Sequence, residues 1–281
     1  TISSATTSQL ICADNDSLTV DSGGSISFNA QNAVDVQLED GVTITNSGTI
    51  KTTTDGIDGD SAINGESSLN LTITNSGTIW AKEDYGIKLK EAEKVTITNE
   101  AGGTIKATPT DSTAMMAIGG ENIGNCSTCV GSATSTGIGL TLHNYGTIDA
   151  DGRTIYGGSS NSGDTSKKTR IYNYDGGMID ATSNAAVKFR NAEDFELYNY
   201  NGATIQADAG KYGIDLKGSS TITIDNAGTI SAGTSDAIMC DSCTDVTLTN
   251  SGNITAGTTA AIRLESASGT IGTNGVLTDD T

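Results

Sequence analysis

Residues 44–50 and residues 73–79 both read ITNSGTI, and near copies follow as LHNYGTI at 142–148, IDNAGTI at 224–230 and LTNSGNI at 248–254. Written out in full, each copy has the form [VIL]-x-[IL]-x-N-x-G-x-I-x-A, as in Leu71, Ile73, Asn75, Gly77, Ile79 and Ala81. Those positions share one parity. An extended chain therefore turns all of them to one side and the intervening Thr, Ser, Lys and Asp to the other. The alternation has a period of two, and no 3.6-residue helical period runs through it.

A second short signal, Gly or Ala followed by Ile or Val, recurs further along each unit: Gly86-Ile87, Gly213-Ile214, Ala237-Ile238 and Ala261-Ile262. Counted from that Ile or Val, the next repeat Asn comes 12 residues later in seven units: Val34 to Asn46, Ile63 to Asn75, Ile87 to Asn99, Val187 to Asn199, Ile214 to Asn226, Ile238 to Asn250 and Ile262 to Asn274. Only Ile118 to Asn144 and Ile155 to Asn173 are longer, and both intervals carry Gly/Ser-rich inserts. A spacing held through most units and broken only by loop-like inserts marks stacked coils. The chain therefore reads as one all-β domain over residues 1–281. The expected fold is a right-handed parallel β-helix of about 9–10 coils, each with three short strands, with loop insertions near 51–62, 108–137 and 156–170. At about 4.7–4.9 Å per coil the rod would be about 45–50 Å long.

Composition agrees with this architecture and narrows the function. Only 4% of residues are aromatic, 35 are Gly and 1 is Pro, which suits a narrow interior filled by Ile, Val, Leu and Ala. The balance of 34 acidic against 15 basic residues, a formal charge of −19, argues against nucleic acid or an anionic membrane as partner. No stretch approaches the ~18–20 apolar residues of a membrane span, so no membrane insertion by this segment is expected.

The repeat Asn forms its own column: Asn46, Asn75, Asn99, Asn144, Asn173, Asn199, Asn226 and Asn250, inward-facing at a turn. Amides stacked coil on coil can donate and accept along the column, which satisfies groups that would be costly if buried alone. The Gly two residues on supplies either a positive φ or a close approach at the corner. Around three of these Asn the outward positions are aromatic. His143, Tyr172 and Tyr198 precede the Asn, and Tyr145, Tyr174 and Tyr200 follow it. They form either a stacking ladder on a sheet face or a stripe that meets surface glycans or a partner.

Cys126–Cys129 and Cys240–Cys243 are two CxxC pairs, with Cys12 apart. The pairs belong to coils four apart, about 19 Å by the strand spacing, so they cannot share one zinc ion. Two local disulfides clamping protruding loops in an oxidising compartment are the expectation. Cys12 shares the inward column of Cys240, where it can pack as a small hydrophobe. Asp55, Asp58 and Asp60 sit in a longer loop and could hold calcium through carboxylate and backbone oxygens, although without the spacing of known calcium loops. No other cofactor is implied. Polysaccharide cleavage needs paired carboxylates or a basic residue with calcium. The four arginines, Arg153, Arg170, Arg190 and Arg263, stand outside the acidic runs, and His143 has no Ser or Cys partner. The sequence therefore points away from an enzyme.

The repeated NxGTI and its following Gly-Ile or Ala-Ile strand resemble the passenger domains of bacterial autotransporters, the type V secreted surface proteins. The pattern runs from LTVDSGGSI at 18–26 to GTI at 269–271. The resemblance implies export across a Gram-negative envelope and display on the cell surface as a rod, for adhesion or self-association. It also implies a cleaved passenger or a fragment, because no signal-peptide core, translocator barrel or protease triad is written here, and no catalytic residue carries over. With no amphipathic capping helix at either end, homotypic contacts are expected, rod against rod or head to tail into a filament. The functional expectation is a non-enzymatic extracellular structural or adhesive protein. The alternatives are a polysaccharide-active β-helix enzyme and a glycan-binding module.

Overall fold

The computed structural model describes residues 1–53, 60–108, 116–125, 138–158, 166–209, 211–273 and 275–279. Every regular element among them is a strand. The strands wind into a β-solenoid with three strands per coil, stacked as parallel sheets of 11, 10 and 10 strands. The asparagine sheet begins at Ser17–Val20 and ends at Gly269–Thr273. The second sheet, entered after the Asn corner, runs from Ala5–Thr6 to Val276–Asp279. The third runs from Leu10–Ile11 to Ile262–Glu265.

Apolar residues of like position face one another through the stack. On the asparagine sheet the column reads Ile44, Ile73, Ile97, Leu142, Ile171, Leu197, Ile224, Leu248. On the second sheet it is Ile from Ile26 through Ile50, Ile79, Ile105 and Ile148 to Ile254. The Val34, Ile63, Ile87, Ile118, Ile155, Val187, Ile214, Ile238 column lines the third. All these side chains are buried, and each burial contributes about 1.5–3 kcal/mol. Branched aliphatics suit this interior because their stiff side chains pack well on a pleated surface. Two large rings also fit. Phe189 and Phe195 are fully buried, with centroids 5.0 Å apart and planes tilted by 50°. The coil below makes room for Phe189 by placing Gly157 opposite it, where a Cβ would lie 2.1 Å from the ring.

The Asn column is a continuous chain of buried amide hydrogen bonds. Nδ2 of Asn46 donates to Oδ1 of Asn75 at 2.8 Å, and the same bond repeats from Asn75 to Asn99, Asn144, Asn173, Asn199, Asn226 and Asn250 at 2.7–2.9 Å. Each Nδ2 also reaches a backbone carbonyl of the adjoining corner, as Asn99 does to Thr147 at 3.1 Å. The glycine two residues on is there for close approach: a Cβ on Gly77 would lie 2.1 Å from the carbonyl oxygen of Gly48 in the preceding coil.

The corner that returns the chain to the asparagine sheet is built differently. Leu38, Ser67, Glu91, Asn122, Asn191, Gly218, Ser242 and Ser266 all adopt a left-handed φ between 50° and 67°. Each lies four residues beyond its third-sheet Ile or Val. An L-residue pays about 1–2 kcal/mol for this conformation, and the coils above and below hold it in place. The disulfide Cys240–Cys243 closes over one such corner, at Ser242. Both its cysteines are buried, so it staples the coil itself and does not clamp a protruding loop as the CxxC spacing led us to expect. The reason is register: Cys240 faces Leu216 and Leu264 in the third-sheet column.

Replacing Asn99 by Ala removes a donor and an acceptor from the middle of the amide chain and strands Asn75 and Asn144. The expected loss is about 2–6 kcal/mol, at roughly 1–3 kcal/mol for each of the two buried groups left unsatisfied. Urea unfolding checks this as a lower midpoint at unchanged slope.

Candidate functional site

Inward residues are fixed by stacking, so recognition has to be carried by the outward columns. The most organised of these lies on the asparagine sheet. His143 stacks on Tyr172 with centroids 5.0 Å apart and planes within 7°, and Tyr172 stacks on Tyr198 at 5.2 Å. Beyond the Asn, Tyr145 stacks on Tyr174 at 4.2 Å and Tyr174 on Tyr200 at 5.0 Å. The parallel register brings each trio together, because His143, Tyr172 and Tyr198 face one another across adjacent strands. A hydrogen bond of 3.0 Å between His143 Nδ1 and the Tyr174 hydroxyl ties the two columns. One flank is braced by Arg170, which donates to Glu196 at 3.0 Å, while Tyr198 donates to the same carboxylate at 3.2 Å. Tyr145 and Tyr200 remain 39% and 40% exposed.

Stacking within the stripe decides what it can bind. Coil-to-coil contacts cover the ring faces inside each column, so the stripe turns ring edges and hydroxyls outward. A sugar that needs an open aromatic face finds none in the middle of the stripe. A flat protein surface can cover its edges and hydrogen-bond its hydroxyls. The packing also alters the chemistry of the groups. Burial holds the His143 imidazole below its usual pKa. Burial, then neighbouring Tyr145, pushes the Tyr174 phenol up to about 12, so the bonded His143–Tyr174 pair is uncharged at neutral pH.

The second sheet carries a different outward column. Trp80 sits between Lys51 and Lys106, whose ammonium groups lie 5.9 Å and 5.5 Å from its centroid. Its indole nitrogen donates to Thr108 at 2.7 Å. The same column continues into Asp149 and Asp180, which face each other on adjacent strands. Burial, then the charges of Asp180 and Asp151, raises the Asp149 carboxyl, while burial and Asp208 raise Asp180.

The remaining expected site residues are dispersed. Asp55, Asp58, Cys126 and Cys129 lie outside the described residues; Asp60 is within them and buried. Among the described residues no three His, Cys, Asp or Glu side chains gather as a metal-type cluster. Cys12 is buried, and burial, then Asp16 and two further acids, pushes its thiol up to about 11, which makes it a packing residue and a poor nucleophile. Arg170 and Arg263, which the linear sequence sets apart from the acidic runs, pair with Glu196 at 3.0 Å and Asp236 at 3.1 Å. Sequence reasoning also missed that Arg153, Lys188, Arg190, Lys211 and Lys217 line one concavity. The available signal was the outward parity of the third-sheet strands, where Arg190 faces Lys217 and Lys188 faces Asp215.

Comparison of the chain with protein-family models, with curated proteins and with solved structures finds no match.

The acidic column gives a pH prediction. Both carboxyls have folded pKa values above their ordinary range, so between the two values the native state holds more protons than the unfolded chain, and stability falls as pH rises through that window. Asp180→Asn removes the repulsion. Its melting temperature should rise by about 2 °C at neutral pH, and the advantage should vanish below the ordinary carboxylate pKa of ~4, as scanning calorimetry at both pH values would read.

Proposed function

We propose that this chain is a non-catalytic extracellular rod of a Gram-negative-type cell surface, similar in role to an autotransporter passenger, that associates side by side with further copies through its aromatic stripe. The observation that carries this reading is the double column itself. Six rings in two registered stacks form a rigid strip of tyrosine edges, with hydroxyls at its surface and little side-chain freedom left to lose on docking. Tyrosine is among the residues that dominate interface energies. The disulfide at Cys240–Cys243 supports an oxidising compartment, and the −19 charge supports a soluble surface rod over a nucleic-acid binder.

Sedimentation of the purified protein tests the reading. Wild type should associate in a concentration-dependent way, and Tyr145→Ser with Tyr200→Ser should weaken that association about thirty-fold, the equivalent of one interface anchor worth ~2 kcal/mol. Electron microscopy should show rods lying side by side. Monodisperse single rods at every concentration, or filaments joined only end to end and unaffected by the stripe variants, would overturn the lateral contact. Release of reducing or unsaturated sugar from an acidic polysaccharide would overturn the non-catalytic assignment.

A further inference from the structure

The third sheet carries a feature at odds with the rest of this acidic chain. Five of its 15 basic residues, Arg153, Lys188, Arg190, Lys211 and Lys217, line a single concavity of ≈ 380 Å³. That volume falls within the ~300–1,000 Å³ range of small-molecule sites. Two carboxylates share the wall, Asp215 and Asp241. Each is already engaged: Lys188 Nζ contacts Asp215 Oδ2, and Lys217 Nζ lies 2.5 Å from Asp241 Oδ2. The remaining three cations are in excess over the acids of the wall. Arg190 and Lys217 also face each other directly on neighbouring strands, an arrangement that destabilises a sheet unless something negative lies between or above them. Arg153 lies over the Tyr156 ring at 5.0 Å, and its Nε is buried with no hydrogen-bond partner among the described residues.

The same wall says which anion fits. A compact dianion such as hydrogenphosphate would bring two negative charges close to Asp215 and Asp241 and could offer them only a single P–OH donor. A ligand that carries one carboxylate on a hydroxyl-rich ring satisfies both halves of the site. Its carboxylate takes the guanidinium groups in the bidentate geometry they favour, and its hydroxyls donate to the two acids. Tyr212 and Met239 add apolar surface for the face of such a ring.

We propose that this concavity binds an acidic sugar, with Arg153 and Arg190 holding its carboxylate and Asp215 and Asp241 accepting from its hydroxyls. The site lies on a different sheet from the aromatic stripe and stands independently of the lateral-association reading.

Titration calorimetry at low salt tests it with three probes: cellobiouronic acid, its neutral counterpart cellobiose, and inorganic phosphate. The uronic acid should bind saturably, cellobiose and phosphate at least about ten-fold more weakly, and added salt should weaken the uronic acid as screening grows. Arg190→Gln should lower its affinity about ten-fold or more. Lys211→Gln changes an exposed side chain and cannot unfold the coil, so it should lose about three-fold with the wild-type melting temperature retained. Absence of saturable uronate binding, equal binding of cellobiose, phosphate binding as tight as the uronate, or unchanged affinity in both variants would each overturn the proposal.

Discussion

From Asn46 to Asn250 each coil of this protein is constrained by the buried amide of its neighbour, while the end rungs of that column hold Val20 and Thr273. An Asn at 0–1% exposure can stay in the interior only if its oxygen and its nitrogen both find partners there, and the partners at hand are the Asn of the coils on either side. The requirement fixes one Asn per coil at one height and one azimuth. It leaves the stretches between anchors free to lengthen: Asn99 and Asn144 are 45 residues apart along the chain, yet bonded at 2.9 Å. Insertions between anchors are tolerated, because the cost of closing a longer loop grows only slowly with its length. A one-residue slip inside a strand would turn the whole apolar set outward.

That constraint also explains which parts of the molecule were legible in the sequence. The period-two parity of Leu71, Ile73 and Asn75 and the 12-residue spacing from Ile87 to Asn99 are direct imprints of stacking, so three strands per coil could be read from them. The left-handed corner could not, because only Gly218 and two Asn among its eight occupants advertise that conformation; Leu38 and Glu91 adopt it under the force of their neighbours. The position of the Cys240–Cys243 bridge was hidden for the same reason, since a corner that leaves no sequence mark looks like a loop. The aromatic stripe was visible as three Tyr-Asn-Tyr or His-Asn-Tyr triplets, but not the direction of its rings, on which the choice of ligand turns. The basic concavity was the least legible of all. Its members are spread from Arg153 to Lys217 over three coils and come together only once the register of the third sheet is known.

The outside of the solenoid behaves as a set of independent columns. One holds aromatic rings, another runs from Lys51 through Trp80 and Lys106 to Asp149 and Asp180, and a third alternates Lys188 with Asp215. Since inward residues carry the stability, outward chemistry can change coil by coil without disturbing the fold. Charge and ring type can therefore be arranged along the rod at intervals of about 4.7–4.9 Å, a ruler on which surface contacts can be set.

The amide chain has one further property. Each Asn passes its hydrogen bond onward in the same sense, from Asn46 toward Asn250, so the side-chain dipoles add along the axis, whereas backbone amides point alternately up and down the stack along each strand and cancel there. The result is a side-chain counterpart of a helix macrodipole, a one-way polar thread through an otherwise apolar interior. Each bond polarises the next. The rod thereby has an electrical direction along its axis even across stretches where successive coils are near copies, and two such rods lying side by side are not indifferent to whether they point the same way.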